Sequence, residues 1–275
     1  KKVGLGLHQV PVFGGGWAGT WEGGEYLGVW TDSLRPNDYK VAFRCSPIEG
    51  RPVESKSPET TRWDTSEGLM TLRQCGDSLW GTIATPTGDY RYLAGTRSQN
   101  NCRLQTFDGA HLFGFFFEIT EDDSLTGSFI SGSHYVTKIN GVLSAAISQA
   151  SLSKTYQTTG SHGFAVRGVG LGGQAVSVEF DEHQGPVVVD IMGSWCPNCM
   201  DETRLLNELS AVYPDVPIVT LAYERVVGEE AIRRLQAFQA EMNISWPVIL
   251  AGPASKQHAS DQFPILNGVQ SFPTT

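Results

Sequence analysis

The chain has 275 residues, of which 40% are hydrophobic and 18% charged. That apolar content supplies a core and excludes wholesale disorder. The length suits one large domain or two ordinary ones. The net charge of −9 carries no basic cluster, which argues against a nucleic-acid partner. Residues 1–150 hold 13 basic against 16 acidic side chains and residues 151–275 hold 7 against 13, so neither half is a basic module. No run approaches the ~18–20 apolar residues of a membrane helix. The chain opens on Lys1-Lys2 without a signal-peptide pattern, which leaves export open.

Glycine use divides the sequence. Twenty of the 31 glycines lie in residues 1–141, six in 160–173 and five beyond. Gly14-Gly15-Gly16 and Gly23-Gly24 punctuate the start, with Trp17, Trp21, Tyr26 and Trp30 around them, as on a curved sheet. Leu69 to Arg73 reads as a strand and Gly76-Asp77 as a turn. A weak repeat matches Asp77-Ser78-Leu79-Trp80-Gly81-Thr82-Ile83 with Asp123-Ser124-Leu125-Thr126-Gly127-Ser128-Phe129. Tyr90 and Tyr135 follow at nearly matching offsets. This pattern predicts an antiparallel β-rich domain over 1–143, a barrel or sandwich that uses one hairpin twice. Residues 144–160 are rich in Ser, Thr, Ala and Gln and read as a linker.

From residue 161 strands and helices alternate. Phe164 to Val169 and Ala175 to Phe180 read as a hairpin around the glycines at 170–173. No helix follows those glycines, so a nucleotide loop is not the reading. Pro186 to Met192 and Val216 to Ala222 read as buried strands, and Pro247 to Leu250 as a short extended piece. Cys199 to Val212 has helical spacing at Leu205, Leu206, Leu209 and Val212, with Pro214 after it. Gly228 to Met242 places Ile232, Leu235, Phe238 and Met242 on one stripe, and a short helix is expected between Ser255 and Asn267. Such alternation implies an α/β unit over 161–275.

Five cysteines are present, and Cys196 and Cys199 form a Cys-x-x-Cys. The pair sits where a buried strand hands over to a helix. There the helix N-terminus favours a thiolate, which lowers such a cysteine's pKa from ~8.5 to as low as ~3.5–7.5. The alternative is two buried thiols or half a zinc site, although a second Cys-x-x-Cys is missing. Cys45, Cys75 and Cys102 are scattered, and their spacing does not decide a disulfide.

Val187 to Asp190, followed by Trp195-Cys196-Pro197-Asn198-Cys199, resembles the active-site segment of TlpA-like thiol–disulfide oxidoreductases of the thioredoxin-fold superfamily. Trp195 precedes the first cysteine as in that family. Glu202 matches an acidic residue often found three positions after the second cysteine. Asp190 matches the buried aspartate of thioredoxins. Ser271-Phe272-Pro273-Thr274-Thr275 resembles the family's cis-proline segment. The resemblance covers residues 161–275. It implies an α/β thioredoxin-like C-terminal domain, C-terminally incomplete because the family's last two strands and helix lie beyond Thr275, preceded by an all-β barrel or sandwich domain. Thr85 to Tyr90 and Phe107 to His111 resemble motifs of barrel-like domains joined to such proteins, with no function attached.

The implied activity is exchange with protein or peptide disulfides, without cofactor or metal, fed by an upstream electron donor. The implied location is extracytoplasmic, in a bacterial periplasm or cell envelope, with room for a membrane tether outside this chain. Cys196 would attack and Cys199 resolve. Asp190 would take the Cys199 proton, or else cap nearby amides as a strand-end carboxylate. Glu202 would assist, or only complement the helix dipole. Trp195 would cover the sulfurs, or only pack. Phe272 and Pro273, the latter in cis, would present backbone to an extended substrate.

A peroxiredoxin-like thiol peroxidase is the nearest enzymatic alternative. Its Pro-x-x-x-Thr/Ser-x-x-Cys pattern would need Pro and Thr where Val189 and Gly193 stand. A ligand-binding protein acting through the N-terminal domain is the other. His111 and His134 each follow a glycine by two positions and could line one end of a barrel, but no tight ligand spacing supports a metal.

Overall fold

The computed structural model describes residues 3–10, 14–33, 39–47, 57–86, 88–144, 155–158, 163–180 and 185–275. Most of the expected linker at 144–160 lies outside the described residues. The chain divides into two compact units, Lys1–Leu152 and Ser153–Thr275.

The first unit begins with β1 (Val3–Val10), β2 (Gly15–Glu22), β3 (Glu25–Asp32) and β4 (Tyr39–Cys45), a four-stranded antiparallel sheet in chain order. Then come β5 (Glu59–Thr65), β6 (Gly68–Cys75), β7 (Ser78–Thr85), β8 (Gly88–Asp89), β9 (Leu93–Ser98), β10 (Asn101–Phe107), β11 (Leu112–Ile119), β12 (Ser124–Ser131) and β13 (Tyr135–Leu143). All of these except β8 close into an eight-stranded antiparallel barrel. The ring shuts where Gly141, Val142 and Leu143 of β13 pair with Thr65, Asp64 and Trp63 of β5. Alternate residues point inward, as Met70 and Leu72, Cys102 and Leu104, and Phe115 and Phe117 do. With Trp63, Ile83, Leu93, Leu125, Phe129 and Ile139 they form one packed apolar core. Phe115 stacks on Phe129 at 4.6 Å, and Tyr90 meets both rings edge-on.

The internal repeat maps onto β7 and β12. Its glycines have a packing reason. A Cβ on Gly81 would lie 2.0 Å from the Thr71 carbonyl oxygen, and one on Gly127 would lie 2.0 Å from that of Phe116. Only glycine lets the neighbouring strand approach so closely.

The second unit holds β14 (Phe164–Gly170), β15 (Ala175–Phe180), β16 (Val188–Met192), α1 (Pro197–Val212), β17 (Ile218–Glu224), α2 (Gly228–Glu241), β18 (Val248–Pro253) and α3 (Lys256–Gln262). Its sheet runs β15-β14-β18-β17-β16. The last three strands are parallel, and β14 is antiparallel to both its neighbours. The glycines at 170–173 form the β14–β15 turn, with Gly173 at φ 84°. Every residue of β17 is buried, as an interior strand of a covered sheet requires. From α2, Ala231, Leu235 and Phe238 are fully buried.

One expectation needs correction. The fold class is not that of an α/β thioredoxin-like domain added to an all-β domain. The described residues are mostly β, 52% strand against 16% helix, with three helices and a closed barrel, and among them no thioredoxin-like α/β domain is evident. The physical reason is the short helical complement of the second unit. α3 has only seven residues, and two of its five strands form an antiparallel hairpin at the sheet edge. The apolar residues that share helical spacing on α1 are not all covered. Leu206 is buried, but Leu205, Leu209 and Val212 are exposed. Helical spacing reports that residues share a face, not that the face is covered. Among the described residues no helix is long and apolar enough to cross a membrane.

Candidate functional site

The site forms at the C-terminal ends of the parallel strands, where β16 passes into α1. Residues 193–196 make a tight turn in which the Cys196 N–H donates to the Gly193 carbonyl at 3.0 Å. Cys196 is the N-cap of α1, and Pro197 takes the first helical position, where no amide hydrogen is needed. The Cys199 N–H points back to Cys196 Sγ at 3.4 Å. This helix amide, which also donates to the Cys196 carbonyl at 3.1 Å, faces the first sulfur and favours negative charge there.

The two cysteines differ in access. Cys196 is 6% exposed and Cys199 1%. Burial, with the adjacent Cys196 sulfur, pushes the Cys199 thiol well above its usual range. The outer sulfur is therefore the one placed to meet a partner, and the inner one needs help to lose its proton.

Asp190 supplies a group of that kind. It lies on β16 beside Thr220 of β17, whose hydroxyl donates to Asp190 Oδ2 at 3.0 Å. The Trp246 indole N–H in turn donates to the Thr220 hydroxyl at 2.9 Å. Oδ1 is buried and has no hydrogen-bond partner among the described residues. Burial dominates and pushes the Asp190 carboxyl up to about 7, against the pull of the Thr220 bond, with Glu202 adding to the rise. Asp190 also raises the Cys199 thiol, so the two groups sense each other.

The Phe272–Pro273 peptide is cis. The Thr274 backbone exchanges two hydrogen bonds with Ile191 of β16, at 2.8 and 3.0 Å. This bridge seats the segment beside the dithiol, where the Phe272 carbonyl accepts the Cys196 S–H at 3.4 Å. Trp195 meets Phe272 edge-on at 5.6 Å. The structure thus gathers Cys196, Cys199, Asp190, Trp195, Phe272 and Pro273. Glu202 stands at the margin, half-buried, accepting the Thr275 hydroxyl at 2.9 Å.

Several participants are absent from the sequence reading. Thr220 and Trp246 brace Asp190. Ser194 and Glu224, both buried, hydrogen-bond each other next to Trp195, and Arg225 lies over the Trp195 ring. One signal was available for Glu224, a charge that closes an otherwise apolar strand.

The histidines of the first unit are held separately. His111 Nδ1 lies 3.0 Å from Asp108 Oδ2 and its ring stacks on Phe113, whereas His134 Nδ1 lies 2.7 Å from the Tyr39 hydroxyl. Among the described residues no cluster of three His, Cys, Asp or Glu could hold a metal ion. Cys102 is buried in the barrel core, and Cys45 is an exposed free thiol. No protein-family model matches the chain, and no curated protein matches it in sequence.

Proposed function

We propose that the protein is a thiol–disulfide oxidoreductase that reduces protein or peptide disulfides with the Cys196–Cys199 dithiol. The observation that carries this reading is the asymmetric pair: an outer sulfur facing a helix amide and an inner thiol beside a buried carboxyl. Cys196, as thiolate, attacks one sulfur of the substrate disulfide. That S–S bond breaks, a mixed disulfide forms, and the leaving sulfur takes a proton. Cys199 gives its proton to Asp190 and attacks Cys196 Sγ. The second substrate thiolate departs, and two electrons have passed from the dithiol to the substrate. An upstream dithiol donor restores the reduced pair. An extended substrate segment would add as a strand beside Pro273, taking the place of the Cys196 S–H on the Phe272 carbonyl. The resemblance to TlpA-like oxidoreductases supports an extracytoplasmic site of action.

The test is a redox titration of the purified protein against glutathione and dithiothreitol buffers, read by alkylation and mass. A reversible Cys196–Cys199 couple near roughly −200 to −270 mV is expected for a reductase. Cys196→Ser should abolish reduction, and Cys199→Ser should accumulate a mixed disulfide with substrate. If no intramolecular disulfide forms at any poise, the reading fails.

A further inference from the structure

Three consecutive residues at the end of β17 grip the segment that carries Cys196. The Tyr223 carbonyl accepts the Trp195 indole N–H at 2.9 Å. The Glu224 carboxylate accepts twice from Ser194: the backbone N–H on Oε1 at 2.7 Å and the hydroxyl on Oε2 at 2.9 Å. The Arg225 guanidinium carbon sits 4.1 Å from the centre of the Trp195 ring. Gly193 makes this approach possible, since a Cβ there would lie 2.3 Å from Trp195 Nε1 and 2.9 Å from the Tyr223 carbonyl oxygen.

Glu224 is the unusual member. It is 2% exposed, and a carboxylate that deep is unfavourable unless its oxygens are satisfied. Both oxygens are spent on one residue, Ser194, which lies two positions before the outer sulfur. Burial pushes the Glu224 carboxyl up, while the two Ser194 donors and then Arg234 and Arg225 pull it down. The bond to the Ser194 amide is made to main chain, so it fixes the path of the turn and not merely a side chain. That turn sets where Cys196 Sγ stands relative to the Cys199 amide and the Phe272 carbonyl, both of which it hydrogen-bonds. Glu224 does not reach the sulfurs; it acts through Ser194.

We propose that Glu224 is a positioning residue of the dithiol, holding Ser194 from across the sheet so that Cys196 is kept at the start of α1 in its reactive orientation. This inference deepens the exchange reading above and rests on it. Displacing a reacting group by about an ångström can cost about 100-fold in rate.

The experiment compares the wild type with Glu224→Ala, Glu224→Gln and Ser194→Ala. The readouts are disulfide reduction, the pH profile of Cys196 alkylation and the redox potential, each on protein shown to be folded by circular dichroism. Glu224→Ala should slow reduction about 10- to 100-fold and shift both the alkylation profile and the potential. Glu224→Gln keeps an acceptor for the Ser194 amide and should restore most of the rate. Ser194→Ala, which keeps the amide bond and loses the hydroxyl, should fall between. If Glu224→Ala does not fold, Ser194→Ala carries the test. A folded Glu224→Ala, or Ser194→Ala where the former does not fold, with wild-type rate and profile overturns the inference and leaves the exchange reading standing. So does a slower Glu224→Ala whose profile and potential are unmoved and which Gln does not rescue, because that is a structural role alone. A wild type that exchanges no disulfide overturns both.

Discussion

The barrel and the dithiol unit bury different things. Among the described residues the barrel interior holds apolar side chains and Cys102, with no buried charge. The second unit buries Asp190 and Glu224 together with Ser194, Thr203 and Thr220. In the barrel, ring closure leaves no open edge between β13 and β5. In the second unit, carboxyl groups are taken out of water, Asp190 held by the Thr220 hydroxyl of the neighbouring strand and Glu224 by two donors of Ser194. Such groups cost stability, and they cluster around the cysteines. The contrast separates a region of apolar packing from one that buries titratable groups.

Four substitutions break or sharpen that contrast. Phe115→Ala should have the largest effect on stability, about 3–5 kcal/mol, because it empties a fully buried ring site against Phe129 and Tyr90. Urea unfolding measures it. The folded variant should exchange disulfides at the wild-type rate, and a matching loss of exchange would erase the division of labour.

Asp190→Asn tests the buried carboxyl. In the unfolded chain this group ionises near 3.8, and in the fold it keeps its proton to about 7. Its contribution is therefore full below about pH 4 and is lost as pH rises through about 7. Relative to the Asn variant, the wild type should lose on the order of 4 kcal/mol between about pH 4 and pH 8. Urea midpoints across that range give the answer, and parallel curves would remove Asp190 from the account. The rate of the resolving step should also lose its rise near neutral pH.

Gly127→Ala should destabilise by about 1–3 kcal/mol, because its Cβ meets the Phe116 carbonyl at 2.0 Å. A neutral result would mean that strand approach does not explain the repeated glycine. Arg225→Ala should have the smallest effect, about 0.5–1 kcal/mol for an exposed cation over a ring. A double-mutant cycle with Trp195→Leu isolates it, and zero coupling would leave Tyr223 and Glu224 as the whole grip.

Much of the site was legible in the sequence because its signals are local. A buried strand, then Cys-x-x-Cys, then a helical pattern places two sulfurs at a helix start, and the helix begins at Pro197 as that logic requires. Asp190 was marked by its match to the buried aspartate of thioredoxins, and it is also a charge within an apolar run. Glu224 carried the same signal but was hidden among the charges that follow it, Arg225, Glu229 and Glu230. Thr220 and Trp246 carry no local mark at all, since they matter only through the register that sets Asp190 opposite Thr220. The fold class was misjudged for a related reason. Strand and helix patterns count elements, but the balance between them emerges only when each stretch is paired or left over. The exposed Leu205, Leu209 and Val212 show the same limit on a single helix.

The sequence by itself determined the short-range features: alternating strands, glycine turns, and a cysteine pair at a strand-to-helix junction. These follow from backbone preferences and side-chain spacing within a few residues. Only the tertiary structure decided that Leu143 meets Trp63 to close the ring, that Phe272 reaches Cys196 across 76 residues, and that Glu224 holds Ser194 across 30. Those contacts depend on which strands become neighbours and in what register. That choice is made by burial of the whole core, to which no local stretch has access.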